Sequence, residues 1–266
     1  MLGFALDPAF LANGRIYLLY VVDHHHLAHF GTPAYDPNSD EYFLDTIGRV
    51  TRYTCDASTG FRSVDPASRM VLVGESISTG IPVLNQSHGL GALVFGADGT
   101  LFVSAGDNAS YDESDHGGPV LGSSNTGRAE GIIDLAQDVG SYRAQFLGSL
   151  DGKVLRIDPA TGDGVGSNPF FDTAAPRSPR SRVWALGFRN PFRMVLRPGT
   201  GSADPTVGDP GTLYVTDVGW TLREDLDVGD APAMNFGWPL HEGLTPEPLF
   251  AGVDALNRES WNPLFL

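Results

Sequence analysis

The sequence predicts an all-β fold, a β-propeller of small antiparallel sheets set around a ring, and three observations predict it. First, 33 glycines and 19 prolines among 266 residues, with charged residues at only 18%, favour many short elements cut by tight turns over long solvated helices. Second, a turn that delivers a short alternating strand recurs as NGRIYLLYV (13–21), DGTLFVSAGD (98–107) and PGTLYVTDVG (210–219). Third, a companion pattern follows the first two copies, GRVTRYT (48–54) and GKVLRID (152–158), alternating branched apolar residues with polar or basic ones, as a strand with one wet face should. A β-sandwich also uses short strands but has no reason to repeat this signature, so radial repetition is preferred. Residues 1–266 are read as one domain, a partial propeller of about four blades.

Taken in chain order, LGFALDPAF (2–10) reads as the inside of a folded element, with no basic stretch followed by an apolar leader run. Asn13-Gly14, Asp98-Gly99 and Pro210-Gly211 supply the turns that open the three repeated strands. Segments 23–46, 107–130, 159–181 and 199–211 are long loops, and loops of that length in a compact domain usually carry function or mobility. Within them, DHHHLAH (23–29) is read as a polar loop, because consecutive histidines cannot all face one ion. GDNASYDESDHGG (106–118) alternates acids without the glycine and terminal glutamate of an EF-hand, and is read as the rim of a site. AEGIIDLAQDVGSYRAQFLGSL (129–150) has a passable helical period, but its glycines predict a loop with a turn or two of helix.

Charge and cysteine usage narrow the function classes. A formal net charge of −15 and a pI near 4.6 repel a phosphate backbone, so nucleic acid is not an expected partner. The single cysteine, Cys55, leaves no internal disulfide and is read as a small buried hydrophobe. No run approaches the roughly 20 apolar residues that span a bilayer.

One hairpin carries a candidate chemical pair. His88 follows Asn85, Gln86 and Ser87 and precedes Gly89 and Gly91, so backbone and ligand can approach it closely. A lone histidine is more often a hydrogen-bonded structural group. Asp107, however, closes the second strand of the same hairpin, and a tight turn at 97–100 brings the two far ends together. A carboxylate on one ring nitrogen fixes the tautomer and makes the other a better general base.

Six blocks resemble a known family: LGFALDPAF (2–10), SHGLGALVFGADGTLFVSAGD (87–107), SLDGKVLRIDPATGDG (149–164), VWALGFRNPF (183–192), DVGWTLREDLDV (217–228) and NFGWPLHEG (235–243). In the same order and over nearly the whole chain, they are similar to the soluble glucose/sorbosone dehydrogenases, six-bladed propellers that use pyrroloquinoline quinone and calcium. The resemblance implies that His88 removes a proton from a sugar hydroxyl and that Asp107 orients it. It implies that Arg189 and Asn190 contact the quinone, with Arg189 stabilising its anionic reduced form. The backbone carbonyls of Gly219 and Trp220 fall where calcium is held, with Asp217, Glu224 and Asp225 adding oxygen ligands or field. NFGWP is read as a turn and an aromatic wedge between blades. A sugar or alcohol substrate, an external electron acceptor and a periplasmic or secreted location follow from the same resemblance.

The chain also departs from that pattern. Phe192 stands where quinone-binding relatives carry a glutamine, a second glutamine would lie before Met1, and the basic ligands of the last blades would lie after Leu266. The expectation is an incomplete pocket, and a chain that on its own associates or aggregates through unclosed sheet edges. A noncatalytic propeller that binds protein or glycan is the competing expectation. A calcium-dependent hydrolase of lactones or phosphoesters would need converging Asp, Asn and Glu side chains, which the strand ends lack.

Overall fold

The computed structural model describes residues 1–112, 114–118 and 123–250. Its first sheet runs in the order β1 (Gly3–Leu6), β2 (Arg15–Val21), β3 (Thr46–Cys55) and β4 (Val64–Val73), with β5 (Ile81–Val83) paired to the start of β3. The second is a meander of β6 (Leu90–Phe95), β7 (Leu101–Ala105), β8 (Lys153–Ile157) and β9 (Val183–Leu186). The third joins β10 (Pro191–Leu196), β11 (Leu213–Asp217) and β12 (Asp225–Gly229), and a ribbon of β13 (His241–Glu242) and β14 (Thr245–Pro246) follows. Every pairing within these sheets is antiparallel. The three repeated motifs of the sequence are β2, β7 and β11, the second strand of each sheet, and the companion pattern is the third strand, β3 and β8.

The sheets stack like propeller blades. Strand β6 packs between β1 and β10, so the first strand of each sheet lies toward a common axis. The expected alternation of side chains divides β7 between two cores. Leu101, Val103 and Ala105 join Tyr17, Leu19 and Leu72 between the first and second sheets. Phe102 joins Trp184, Leu213 and Val215 between the second and third. The blade type matches the sequence expectation; among the described residues there are three sheets and a two-stranded ribbon instead of four full blades.

Two readings are corrected. Strand β8 has no wet face, because a sheet flanked on both sides buries both faces, and Lys153 and Arg156 are wholly inside. Their charges are met internally. Lys153 Nζ donates to the carbonyls of Arg143, Ala144 and Asp151 at 2.6–2.9 Å. Arg156 pairs with Asp98 at 2.6 Å, donates to Thr100, Ser167 and Asn168, and lies over the Trp184 ring. Removing one partner of such a pair strands the other charge, so Arg156→Ala is expected to cost about 3–5 kcal/mol in urea unfolding, and an unchanged midpoint would contradict this burial.

The second correction concerns DHHHLAH, which is a short helix, His24–His29, with the Asp23 side chain accepting from the His26 amide at 3.2 Å as its N-cap. His24 Nδ1 donates to the Asp45 carbonyl at 2.7 Å, which fixes that ring against the loop.

Candidate active site

The site grows from a register shared by two sheets. In the second, Leu90 pairs with Ala105; in the third, Pro191 pairs with Asp217. One residue further out, Gly106 N donates to Gly89 O and Val218 N donates to Asn190 O. Two residues out stand His88 opposite Asp107 and, in the next sheet, Arg189 opposite Gly219. The same end of the same hairpin thus presents an imidazole with a carboxylate in one blade and a guanidinium with a carbonyl in the next.

Tight backbone geometry makes this juxtaposition. Any side chain at Gly106 would run into the carbonyls of His88 and Arg189, so glycine alone lets the three segments close. His88 and Asn108 both sit in the left-handed region at φ 52°, a conformation that costs a non-glycine residue about 1–3 kcal/mol and persists where surrounding contacts over-determine it. Those contacts are visible: Asn108 N donates to His88 O at 3.2 Å, and Arg143 donates to the carbonyls of Asp107 and Asn108 at 2.9–3.2 Å.

Asp107 is fully buried and accepts three hydrogen bonds. His88 Nδ1 donates to Oδ1 at 2.9 Å, the Ala109 amide donates to Oδ1 at 3.0 Å, and Trp238 Nε1 donates to Oδ2 at 2.7 Å. Burial acts to raise its carboxyl, but the charge and hydrogen bond of His88, the charge of Arg189 and the Ala109 amide outweigh it and hold the group below the usual carboxylate range. An ionised Asp107 can only accept, so Nδ1 carries a proton, and in the neutral form of the ring Nε2 is the nitrogen with the lone pair. His88 and Asn190 line an open cleft of about 1640 Å³, whose walls include Tyr35, Tyr42, Phe43 and Phe192.

Arg189 is 6% exposed. Its Nη1 donates to the carbonyls of Val218 at 3.0 Å and Gly219 at 2.7 Å, its guanidinium lies 5.5 Å from the Trp238 ring centre, and its Nε is buried without a hydrogen-bond partner. Asp217 accepts from the backbone amides of Arg189 at 2.9 Å and Asn190 at 2.5 Å. Burial pushes its carboxyl up to about 8, with Asp227 and Asp107 adding to the rise against those two amides. Glu224 accepts from the Gly219 amide at 3.1 Å. Asp225 and Asp227 border a void of about 10 Å³, the room of a single water, together with Arg189, Gly219 and Glu242.

This surround bears on cofactor fit. Among the described residues no three His, Cys, Asp or Glu side chains converge as a metal set. The carbonyls of Val218 and Gly219 nevertheless converge on a cation, the Arg189 guanidinium, within a ring of carboxyls that burial and mutual repulsion push upward. Backbone carbonyl oxygens that face a positive charge are the hard donors calcium takes. The unpartnered Arg189 Nε and the cleft-lining Asn190 fit an anionic quinone.

Sequence reasoning missed three residues. Trp238, read as a wedge, is a hydrogen-bond donor to Asp107; Arg143 holds the backbone of Asp107 and Asn108; and Glu242 accepts from the amides around Trp220. A buried indole N–H needs an acceptor, but the sequence around Trp238 does not name which acid supplies it.

Burial and repulsion by Asp225 push the Asp227 carboxyl up to about 7. The folded state therefore holds that proton more tightly than the unfolded chain, whose aspartates titrate near 3.9, so the group's stabilising contribution is full below about pH 4 and lost as pH rises to about 7. Asp227→Asn is expected to flatten this slope, gaining about 1 kcal/mol near pH 8 after solvent screening. Urea midpoints near pH 5 and pH 8 check it, and a slope equal to wild type would count against it.

Comparison with known proteins places the chain. The family described as Glucose / Sorbosone dehydrogenase matches residues 1–247. The chain belongs to the glucose/sorbosone dehydrogenase family. Among curated relatives of this family member, the HIPL2 protein of Arabidopsis thaliana is 26% identical over 91% of the chain and 33% of its own length. The HIPL1 protein of the same plant is 24% identical over 100% of the chain and 36% of its own length. The chain thus spans about a third of the length of the curated relatives it matches. Among solved structures, the chain is similar to the PQQ-bound aldose sugar dehydrogenase from Streptomyces coelicolor, at 19% identity and a TM-score of 0.49 over 93% of this chain and 50% of that one. It is also similar to a calcium structure of a Trichoderma reesei carbohydrate-active enzyme of family AA12, at 16% identity and a TM-score of 0.43 over 92% of this chain and 46% of that one. No helix among the described residues is long and apolar enough to cross a membrane.

Proposed function

We propose that this glucose/sorbosone dehydrogenase family member oxidises a hydroxyl of a sugar, with His88 as the general base and Asp107 as its orienting acid. The observation that carries the reading is the 2.9 Å bond from His88 Nδ1 to a buried Asp107. The steered tautomer leaves Nε2 free to take the hydroxyl proton of a sugar seated in the cleft, and Asp107 stabilises the imidazolium that results. Arg189 and Asn190 would hold pyrroloquinoline quinone, and the carbonyls of Gly219 and Trp220 would hold calcium. When bound, the calcium-polarised quinone supplies the acceptor for the hydride that leaves the sugar carbon. An external acceptor would take up the electrons, and action outside the cytoplasm, in the periplasm or after secretion, accords with the family. Arg143, bonded to the carbonyls of Asp107 and Asn108, and Trp238, bonded to the Asp107 carboxylate, support the pair.

A second reading is favoured by one observation. Phe192 borders the cleft at the position where the resemblance implies a glutamine, an apolar wall that suits a noncatalytic module for glycan or protein. Titration with the quinone at saturating calcium separates the two. The enzymatic reading expects a saturable absorbance change and dye-linked turnover of a sugar; neither signal in the intact protein would leave the binding module.

A further inference from the structure

We infer that Glu242 is a positioning residue, a buried internal anion that aims the carbonyls of Gly219 and Trp220 at the cation position. The inference rests on the calcium reading proposed above and deepens it.

The geometry is unusually dense for one carboxylate. Glu242, 2% exposed, accepts from four successive amides: Trp220 at 2.6 Å, Thr221 at 3.1 and 3.3 Å, Leu222 at 3.1 Å to each oxygen, and Arg223 at 3.3 Å. Consecutive N–H groups curled around one anion form a nest, ordinarily a site for an external phosphate or carboxylate. Here the anion is supplied by the chain itself, from β13.

Peptide planarity turns this nest into an aiming device. In a trans peptide the N–H of one residue and the C=O of the preceding residue point in opposite directions. When the Trp220 amide points at Glu242, the Gly219 carbonyl must point away from it. When the Thr221 amide does the same, the Trp220 carbonyl is turned away as well. The Gly219 carbonyl indeed faces the opposite partner, the Arg189 guanidinium. The requirement for glycine fits too: a Cβ at 219 would collide with the Arg223 carbonyl and come 2.6 Å from Glu242 Oε1, so the loop closes around the carboxylate only with hydrogen there. Glu224, on the Gly219 amide at 3.1 Å, fixes the preceding peptide.

Terbium(III) stands in for calcium and reports its own binding through luminescence sensitised by nearby tryptophan, so no turnover is needed. The wild-type protein is expected to give a saturable signal that calcium displaces. Glu242→Gln places an amide N–H₂ against backbone donors and removes the charge; it is expected to weaken terbium binding by about 10–100-fold, the usual cost of losing a group that orients ligands. Glu247→Gln, at another buried acid outside the nest, is expected to leave the affinity unchanged. Equal terbium affinity in wild type and Glu242→Gln would overturn the inference while leaving the calcium reading intact. Absence of any saturable signal in wild type would overturn both, and the two failures are told apart by the wild-type curve. Should Glu242→Gln not fold, Glu242→Asp, which keeps the charge one methylene short of the nest, is read in the same way.

Discussion

Replacing His88 with alanine is expected to lower sugar oxidation by about 10²–10⁴-fold in protein loaded with quinone and calcium, with little change in KM. The loss falls on turnover because the imidazole removes a proton only as the hydroxyl reacts. Binding of the sugar draws on the rest of a cleft of about 1640 Å³. His88 is also held in a left-handed backbone conformation, so alanine, which tolerates that region poorly, is best paired with His88→Asn, which tolerates it better. Both variants are expected to lose turnover alike. Steady-state kinetics with a dye acceptor check this, and full activity in His88→Asn would remove the base from the mechanism.

Asp107→Asn is expected to lose about 10³–10⁴-fold in turnover, through a different cause. Asp107 accepts from His88 and Ala109 on one oxygen and from Trp238 on the other. Asparagine cannot accept on both sides. If its N–H₂ faces His88, it donates to Nδ1 and drives the proton to Nε2, which ends base function; if it faces Trp238, two donors oppose each other in a buried place. The variant should also lose a pH effect. A carboxyl held below its unfolded value contributes stability that is present above about pH 4 and lost as pH falls through the folded value, and asparagine has no such limb. Acid unfolding followed by circular dichroism, run beside the kinetics, reads both consequences. An Asp107→Asn protein with wild-type turnover would show that the acid does not steer the imidazole.

Much of this arrangement was legible because it is local. The three turn-strand copies became the second strands of three sheets, since alternation with period 2 and an Asn-Gly, Asp-Gly or Pro-Gly turn are properties of neighbouring residues. His88 and Asp107 meet because one hairpin joins them. What escaped depends on residues remote in the chain. GKVLRID alternates as a half-wet strand would, but the second sheet is covered on both faces, and Arg156 finds Asp98 and Trp184 there. Trp238 and Glu242 reach the site from the segment after β12, and nothing in their local pattern distinguishes a wedge or a surface acid from a partner of Asp107 or of the loop at Trp220. The histidine helix formed because Asp23 caps it, a contact that the run of imidazoles obscured.

The proton on the His88 ring tests the central claim most directly. With the imidazoles labelled with nitrogen-15, two-bond correlations at neutral pH distinguish the two neutral tautomers without any cofactor. The expected result is a protonated Nδ1 in a strong hydrogen bond and a bare Nε2, reversed or lost in Asp107→Asn. A wild-type ring protonated on Nε2, or a spectrum indifferent to Asp107, would contradict the account.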